Sequence, residues 1–524
     1  MSLASADPIR FPYQPTSVEV VQTHISVVFL APPFVYKVKK PVALGFLDFS
    51  TLNRRRHFCE QEVALNRRLA PDVYLGVVSV VAEEGGIRFE GEGEPIEWAV
   101  KMRWLAPEHS LESMLDRDEA TDAVIDSLAG RIAEFHRNAA TNEHIAAFGS
   151  LEVVAGNARE NFEQSVSHIG HTVTWKVFDR VRACSDRLLT AHRELIADRA
   201  ERGVPRDTHG DLRLDHVYFL PSRDGSHEPT IIDCIEFNDR FRYADPVADI
   251  AFLTMDLAWA GRRDLARRFA DAYFAASGDE GGRPLLPAYE GYRAAVRAKV
   301  NGIQLFEEEV PADRKERAKI HARGHWLLAL VLMEEPSRRP GLLLVGGLPG
   351  TGKSTLARTI SAKHGFEWLR SDVVRKELAG IPETQSASVG FEQGIYDSAW
   401  TQHTYDELTR RAEALLLQGG RVLVDASFRG DAQRLQFIAL ARSLGVPCLF
   451  LHCEATPETV RQRLAGRRGD ASDADWAVFL TAQKSWSQSG PKVTRLMRTI
   501  DAEKTPEETA AQAEGFLRAD GWIT

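Results

Sequence analysis

Between Gly346 and Leu356 the chain reads GGLPGTGKSTL, in which Gly347, Gly352, Lys353 and Ser354 satisfy the spacing G-x-x-x-x-G-K-S. Glycines so placed let the backbone curl until successive N–H groups converge on phosphate oxygens, and the positive end of a following helix attracts the same anion. A lysine at this position reaches β- and γ-phosphates, and the serine hydroxyl ligates Mg²⁺. The expectation is an ATP and Mg²⁺ site wrapped by Gly347, Leu348, Pro349, Gly350, Thr351, Gly352, Lys353, Ser354 and Thr355, with Ser354 on the metal. An apolar run, Leu342–Val345, precedes the motif and good helix formers follow it. That strand–loop–helix context separates a phosphate cradle from a chance glycine-rich turn.

Acidic residues at strand ends extend the chemistry. FEWLRSDVVRKEL puts Asp372 at the end of a short strand with Arg375 three residues on, and RVLVDASFR ends an apolar strand in Asp425. Open α/β sheets bind ligands at the carboxyl ends of their strands. One of these carboxylates can therefore order Mg²⁺, while the other accepts a proton from a substrate hydroxyl. Further on, PETVRQRLAGRR offers Arg461, Arg463, Arg467 and Arg468. Arginines on such a helix can swing over a nucleotide, and Arg463 and Arg467 are the expected contacts. The segment Gly341–Thr524 resembles the small P-loop kinases grouped with gluconate kinase, zeta toxin and bacteriophage polynucleotide kinase. The resemblance implies that Asp372 is the general base and Arg375 a substrate clamp, and it leaves Asp425 for the metal.

A second constellation lies upstream. THGDLRLDHVYF (Thr208–Phe219) is followed by IIDCIEF and then by RYADPVADIAFL, and the earlier segments FVYKVKKP and CEQEVALNRRL supply Lys37 and Glu62. This order resembles the aminoglycoside and choline kinase-like phosphotransferases over roughly Val18–Met333. The resemblance implies that Asp211 accepts a hydroxyl proton, that Asp233 holds Mg²⁺ against the phosphates, and that Lys37 pairs with Glu62. It makes His209, Asp245 and Asp249 supports for the loop and the next helix. Two features depart from the family pattern. His216 stands where an asparagine would bind metal, and imidazole is a poorer ligand than an amide oxygen for Mg²⁺. The hairpin expected over the phosphates has Ala31-Pro32-Pro33 at its tip, and prolines remove backbone donors. Lys39 rivals Lys37, because alternate strand residues share a face.

The elements that must position these residues fall into two domains. EEPSRRPG (Glu334–Gly341) ends a long helical pattern with two prolines around a charged stretch, just before the apolar strand of the glycine-rich motif. The expected organisation is a protein-kinase-like α+β domain over 1–335, a linker at 336–340, and a doubly wound parallel-sheet α/β P-loop kinase over 341–524. At 524 residues, with 44% hydrophobic and 27% charged residues, the chain is an ordinary soluble globular protein of more than one core. A net charge of −9 disfavours a nucleic-acid partner. No basic and then apolar leader opens the chain, no run is long enough to span a membrane, and five scattered cysteines suit a reducing compartment. The expected location is the cytoplasm.

As a whole the chain resembles the bacterial bifunctional aminoglycoside phosphotransferase/ATP-binding proteins. The function this implies is transfer of the γ-phosphate of ATP to a hydroxyl of a small molecule. A nucleotide-driven switch with a non-catalytic N-terminal module is the alternative, and a 5′-hydroxyl nucleic-acid kinase is a weaker third reading.

Overall fold

The computed structural model describes residues 7–45, 47–83, 86–220, 228–382, 385, 394–466 and 474–524. The chain forms two compact units, one of Met1–Asn157 with Ala191–Tyr289 and one of Ala158–Thr190 with Glu290–Thr524. Helical segments ahead of the expected linker, including Ala312–Met333, therefore belong to the second unit.

The first unit opens with an antiparallel sheet of β1 (Glu19–Gln22), β2 (Ser26–Ala31), β3 (Phe34–Lys39), β4 (Tyr74–Glu83), β5 (Gly86–Phe89) and β6 (Pro95–Arg103) in the order β1-β2-β3-β6-β4-β5. Strand alternation in β3 sends Tyr36 and Val38 to one face, into a core with Phe11, Phe29 and Phe89. Lys37 and Lys39 go to the other. That second face packs against α1 (Leu52–Asn66), where Cys59 and Val63 join Tyr74 and Val100. Glu62 adjoins Val63 on the buried side of α1 and has no solvent exposure. The helix begins because the Thr51 hydroxyl accepts from the Arg54 N–H.

Downstream, the loop at Thr208–Asp211 leads through a tight turn at Leu214–His216 into a short antiparallel pair, Val217–Phe219 with Pro229–Ile231. Next comes α2 (Pro246–Trp259), capped by the Asp245 carboxylate, which accepts from the Val247 N–H at 2.9 Å. Helix α2 is buried almost throughout, so its Asp249 lies inside the unit without solvent exposure.

The second unit contains a parallel sheet of β7 (Gly341–Gly346), β8 (Glu367–Arg370), β9 (Arg421–Asp425), β10 (Cys448–Glu454) and β11 (Met497–Asp501). Its order is β8-β9-β7-β10-β11, which makes β7 the strand where the chain switches sides. All six residues of β7 are buried, as a strand covered on both faces requires. Leu343 and Val345 pack with Leu356 and Ile360 of α3 (Lys353–His364) and with Leu517 and Ile523. The register pairs Val345 with Asp425 and Gly346 with His452. The glycine-rich loop and the acidic strand end are thus brought to one edge, joined there by α4 (Ser371–Leu378), α5 (Ser398–Leu416) and α6 (Pro457–Gly466).

Phe428 anchors the loop after β9. It adopts φ +49° and is fully buried, with ring centroids of Phe437 and Phe450 at 5.5 and 5.6 Å. Its N–H donates to the Tyr405 hydroxyl at 3.0 Å. Phe428→Ala should cost about 3–5 kcal/mol of stability. Thermal unfolding should show it as a lowered midpoint.

Candidate active sites

At the carboxyl edge of the parallel sheet, the phosphate cradle is built from backbone. Gly350 and Gly352 take φ +80° and +89°, conformations that side chains resist. A Cβ on Gly347 would stand 2.5 Å from the Cys453 carbonyl oxygen. The Thr351 hydroxyl donates to the Leu348 carbonyl at 2.8 Å, and Pro349 lies in the turn so closed. Helix α3 starts at Lys353 with no side-chain cap, which leaves its first N–H groups for an anion.

Lys353 is buried, Ser354 half-buried and Thr355 exposed. Burial pushes the Asp425 carboxyl up, while Lys353 and a hydrogen bond from Ser354 pull it back down. Asp425 Oδ1 is buried and accepts no hydrogen bond. An orphaned hard oxygen beside a serine hydroxyl suits Mg²⁺.

The surrounding residues separate into those on the cavity and those elsewhere. Arg463 donates from Nη2 to the Ala502 carbonyl at 2.7 Å, and its Nη1 would lie 3.5 Å from a Cβ on Gly352. A cavity of about 350 Å³ adjoins the cradle, lined by Gly350, Lys353, Thr355, Arg463, Lys504 and Thr509 among others. Arg467 and Arg468 lie outside the described residues. Lys504 and Thr509 carry no motif; the only available signal was that they follow β11, another strand ending at the same edge. Asp372 is half-buried in the first turn of α4. Arg375 is buried and turned to the segment 394–401, donating to the Ile395 carbonyl at 2.7 Å and lying 5.1 Å from the Tyr396 ring centroid.

In the first unit, side chains do the equivalent work. Lys37 Nζ lies 2.9 Å from Glu62 Oε1 and 2.7 Å from Asp233 Oδ1. Lys39 Nζ lies 2.7 Å from Glu62 Oε2 and also bonds Glu236. Glu62 therefore bridges both lysines, while Lys37 alone of the two meets Asp233. Burial opposes the charge on Lys37, but Asp233, Glu62 and Glu236 hold its ammonium well above the ordinary range. Asp233 is likewise opposed by burial and held below the usual carboxylate range by Lys37. Its backbone takes φ +64°, and its N–H donates to the Tyr74 hydroxyl at 3.1 Å. Sequence reasoning missed Glu236 and Tyr74, whose partners lie far away along the chain.

The loop that carries Asp211 is fixed from behind by Asp249. Its two oxygens accept from the His209 N–H at 3.1 Å and the Gly210 N–H at 2.8 Å. His136 Nε2 stands 3.1 Å from the same carboxylate. Asp245 forms a two-point bond with Arg199, at 2.7 and 2.9 Å. Asp211, 25% exposed, faces His216 Nδ1 at 3.6 Å and Arg213 Nη1 at 3.8 Å. The His216 ring spans to Asp233, its Nε2 3.7 Å from Oδ2.

The Pro32-Pro33 turn proves to be remote from this chemistry. Its carbonyl at Pro33 accepts from the Trp104 N–H at 2.9 Å, where the chain leaves β6. The turn at the Lys39 end of the hairpin is Thr23–Ile25, where the Ile25 carbonyl accepts from the Lys40 N–H at 2.8 Å. The missing proline donors thus belong to the opposite end of the strand pair.

Residues 48–294 match the family model described as phosphotransferase enzyme family, and residues 342–488 match that described as AAA domain. The chain is 33% identical over 504 residues to an uncharacterized protein of Mycobacterium tuberculosis (strain ATCC 25618 / H37Rv), covering 96% of each. Over 142 residues it is 32% identical to adenylate kinase isoenzyme 1 of Homo sapiens, covering 27% of this chain and 70% of that protein. A solved choline/ethanolamine kinase family protein from Mesorhizobium loti is similar at 13% identity and TM-score 0.37, over 61% of this chain and 88% of that one. The class is that of ATP-dependent phosphotransferases. The chain belongs to the family in which a phosphotransferase-family domain is joined to a P-loop kinase domain.

His209 generates a pH prediction. Its Nε2 lies 3.0 Å from the Ile232 carbonyl and its Nδ1 accepts from the Asp211 N–H at 3.3 Å, which requires the neutral ring. Burial lowers its pKa from 6.5 to about 4. As pH falls, the unfolded chain takes up this proton first. The stabilising contribution should be complete above about pH 6.5 and lost progressively down to about pH 4. In denaturant titrations His209→Gln should flatten the stability profile across that window.

Proposed function

We propose that both halves bind ATP and pass its γ-phosphate to a hydroxyl of a small molecule, the domain of residues 1–335 through Asp211 and the domain of residues 341–524 through Asp372, with 336–340 as linker. The observation that carries this reading is the pairing, at each site, of a lysine with a carboxylate suited to metal. Lys37 and Asp233 stand 2.7 Å apart, and Lys353 acts against the burial that raises the Asp425 carboxyl, whose Oδ1 has no partner.

At the P-loop, Lys353 and the N–H groups of Gly347–Thr355 hold the phosphates, and Ser354 with Asp425 would hold Mg²⁺. The bound ion supplies charge neutralisation on the phosphate oxygens. Asp372 takes the proton of the acceptor hydroxyl, Arg375 orders the segment facing the acceptor, and Arg463 closes on the nucleotide side. In the first domain, Lys37, positioned by Glu62, holds the phosphates. Asp233 stands on the metal side, and Asp211 takes the proton.

A carboxylate base at each site repels an anionic acceptor and suits a neutral or cationic hydroxylated one, such as a sugar or sugar alcohol. The net charge of −9 supports a small molecule over nucleic acid. No helix among the described residues is long and apolar enough to cross a membrane. All five cysteines are unpaired, which supports a reducing compartment and hence the cytoplasm.

The test is γ-phosphate transfer from labelled ATP into a library of hydroxylated metabolites and aminoglycosides. Lys353→Ala should abolish one labelled product and spare another. Asp211→Asn should reduce the spared product by about 10²–10⁴-fold. If Lys353→Ala alone removes every labelled product, the first domain does not transfer phosphate. ADP release without any labelled acceptor would overturn the reading in favour of a nucleotide-driven switch.

A further inference from the structure

His216 stands between the two carboxylates of the first site, and its orientation is informative. Nδ1 lies 2.9 Å from the backbone carbonyl oxygen of Asp211. A carbonyl only accepts, so Nδ1 carries a hydrogen, and Nε2 is the ring atom that can offer a lone pair to an ion. An imidazole N–H bonded to a backbone carbonyl is the arrangement that orients metal-binding histidines. Nε2 points to Asp233, 3.7 Å from Oδ2. An ion with bonds of about 2.1 Å to each ligand spans that gap. Asp233 Oδ1 is committed to Lys37 at 2.7 Å, which leaves Oδ2 for the ion.

We propose that the first site binds a Mn²⁺-type divalent ion in preference to Mg²⁺, held by Asp233 Oδ2 and His216 Nε2, with nucleotide phosphate and water completing the coordination. The reasoning is one of ligand type. Mg²⁺ takes oxygen ligands almost exclusively and sheds water reluctantly. A first-row ion accepts imidazole as well as carboxylate and phosphate, and Mn²⁺ is the member whose taste for oxygen lies nearest to Mg²⁺. The P-loop site, with Ser354 and Asp425, offers oxygen alone. On this account one chain holds two nucleotide sites with different metal preferences. The inference rests on the reading that Asp233 faces nucleotide phosphate.

The experiment uses the full-length chain carrying Ser354→Ala, which removes a metal ligand from the P-loop, together with a non-hydrolysable ATP analogue and Mn²⁺. Pulsed electron paramagnetic resonance should show ¹⁴N coupling to the bound Mn²⁺, and adding His216→Asn should abolish it. The Mg²⁺ concentration that displaces half of the Mn²⁺ should fall by about tenfold in His216→Asn, because an amide oxygen replaces the nitrogen. Melting curves establish that the variant is folded, and His216→Gln provides a second oxygen-donor variant should His216→Asn fail to fold. Absence of ¹⁴N coupling, coupling that survives loss of His216, or equal displacement by Mg²⁺ would overturn the proposal. If the coupling is present while Asp211→Asn leaves every labelled product intact, the metal assignment stands and catalysis by the first domain fails.

Discussion

The side-chain site depends on a carboxylate removed from water. Glu62 has no solvent exposure, and an isolated charge so buried would cost several kcal/mol. It is tolerable because Lys37 and Lys39 stand at 2.9 and 2.7 Å on its two oxygens. For that to occur, α1 must pack on the face of β3 to which alternate residues point. The apolar contacts of Cys59 and Val63 with Tyr74 and Val100 supply the adhesion. The same packing fixes Lys37 where it meets Asp233. Burial of Glu62 is therefore what turns a flexible lysine into one held in place beside Asp233.

The two halves solve one problem by opposite means. In the P-loop half the proposed phosphate ligands are N–H groups, and their position follows from glycine dihedrals and the start of α3. In the first half they are side chains, and their position follows from a network that joins β3, α1 and the segment after Ile231. A backbone cradle is specified within a few residues. A side-chain network needs partners brought from 196 residues away, as Lys37 and Asp233 are. Protection of the loop that carries Asp211 follows the same logic, since Asp249 reaches it from a helix that is buried nearly throughout.

That contrast explains what could be read from the chain. The cradle at Gly347–Thr355 was legible because its chemistry is local and its spacing strict. Lys37, Glu62 and Asp233 were legible as residue types in order. The choice between Lys37 and Lys39 was not, because a period of two puts both on one face and only the partners distinguish them. Glu236 escaped notice because its need arises only when a second lysine shares Glu62. Lys504 and Thr509 line the nucleotide-side cavity without a motif, through the accident of which strand ends nearby. The Pro32-Pro33 turn was mislocated because sequence shows a hairpin but not which of its ends lies beside the lysines. The direction of Arg375 depends on Ile395 and Tyr396, which spacing from Asp372 cannot supply.

The central claim is that one chain holds two independent nucleotide sites, one made of backbone and one of side chains. Isothermal titration of the full-length protein with a non-hydrolysable ATP analogue and divalent metal tests it most directly. The account predicts two nucleotides bound per chain, falling to one with Lys353→Ala and to one with Lys37→Ala. A single nucleotide per chain, lost with Lys353→Ala and unaffected by Lys37→Ala, would contradict it.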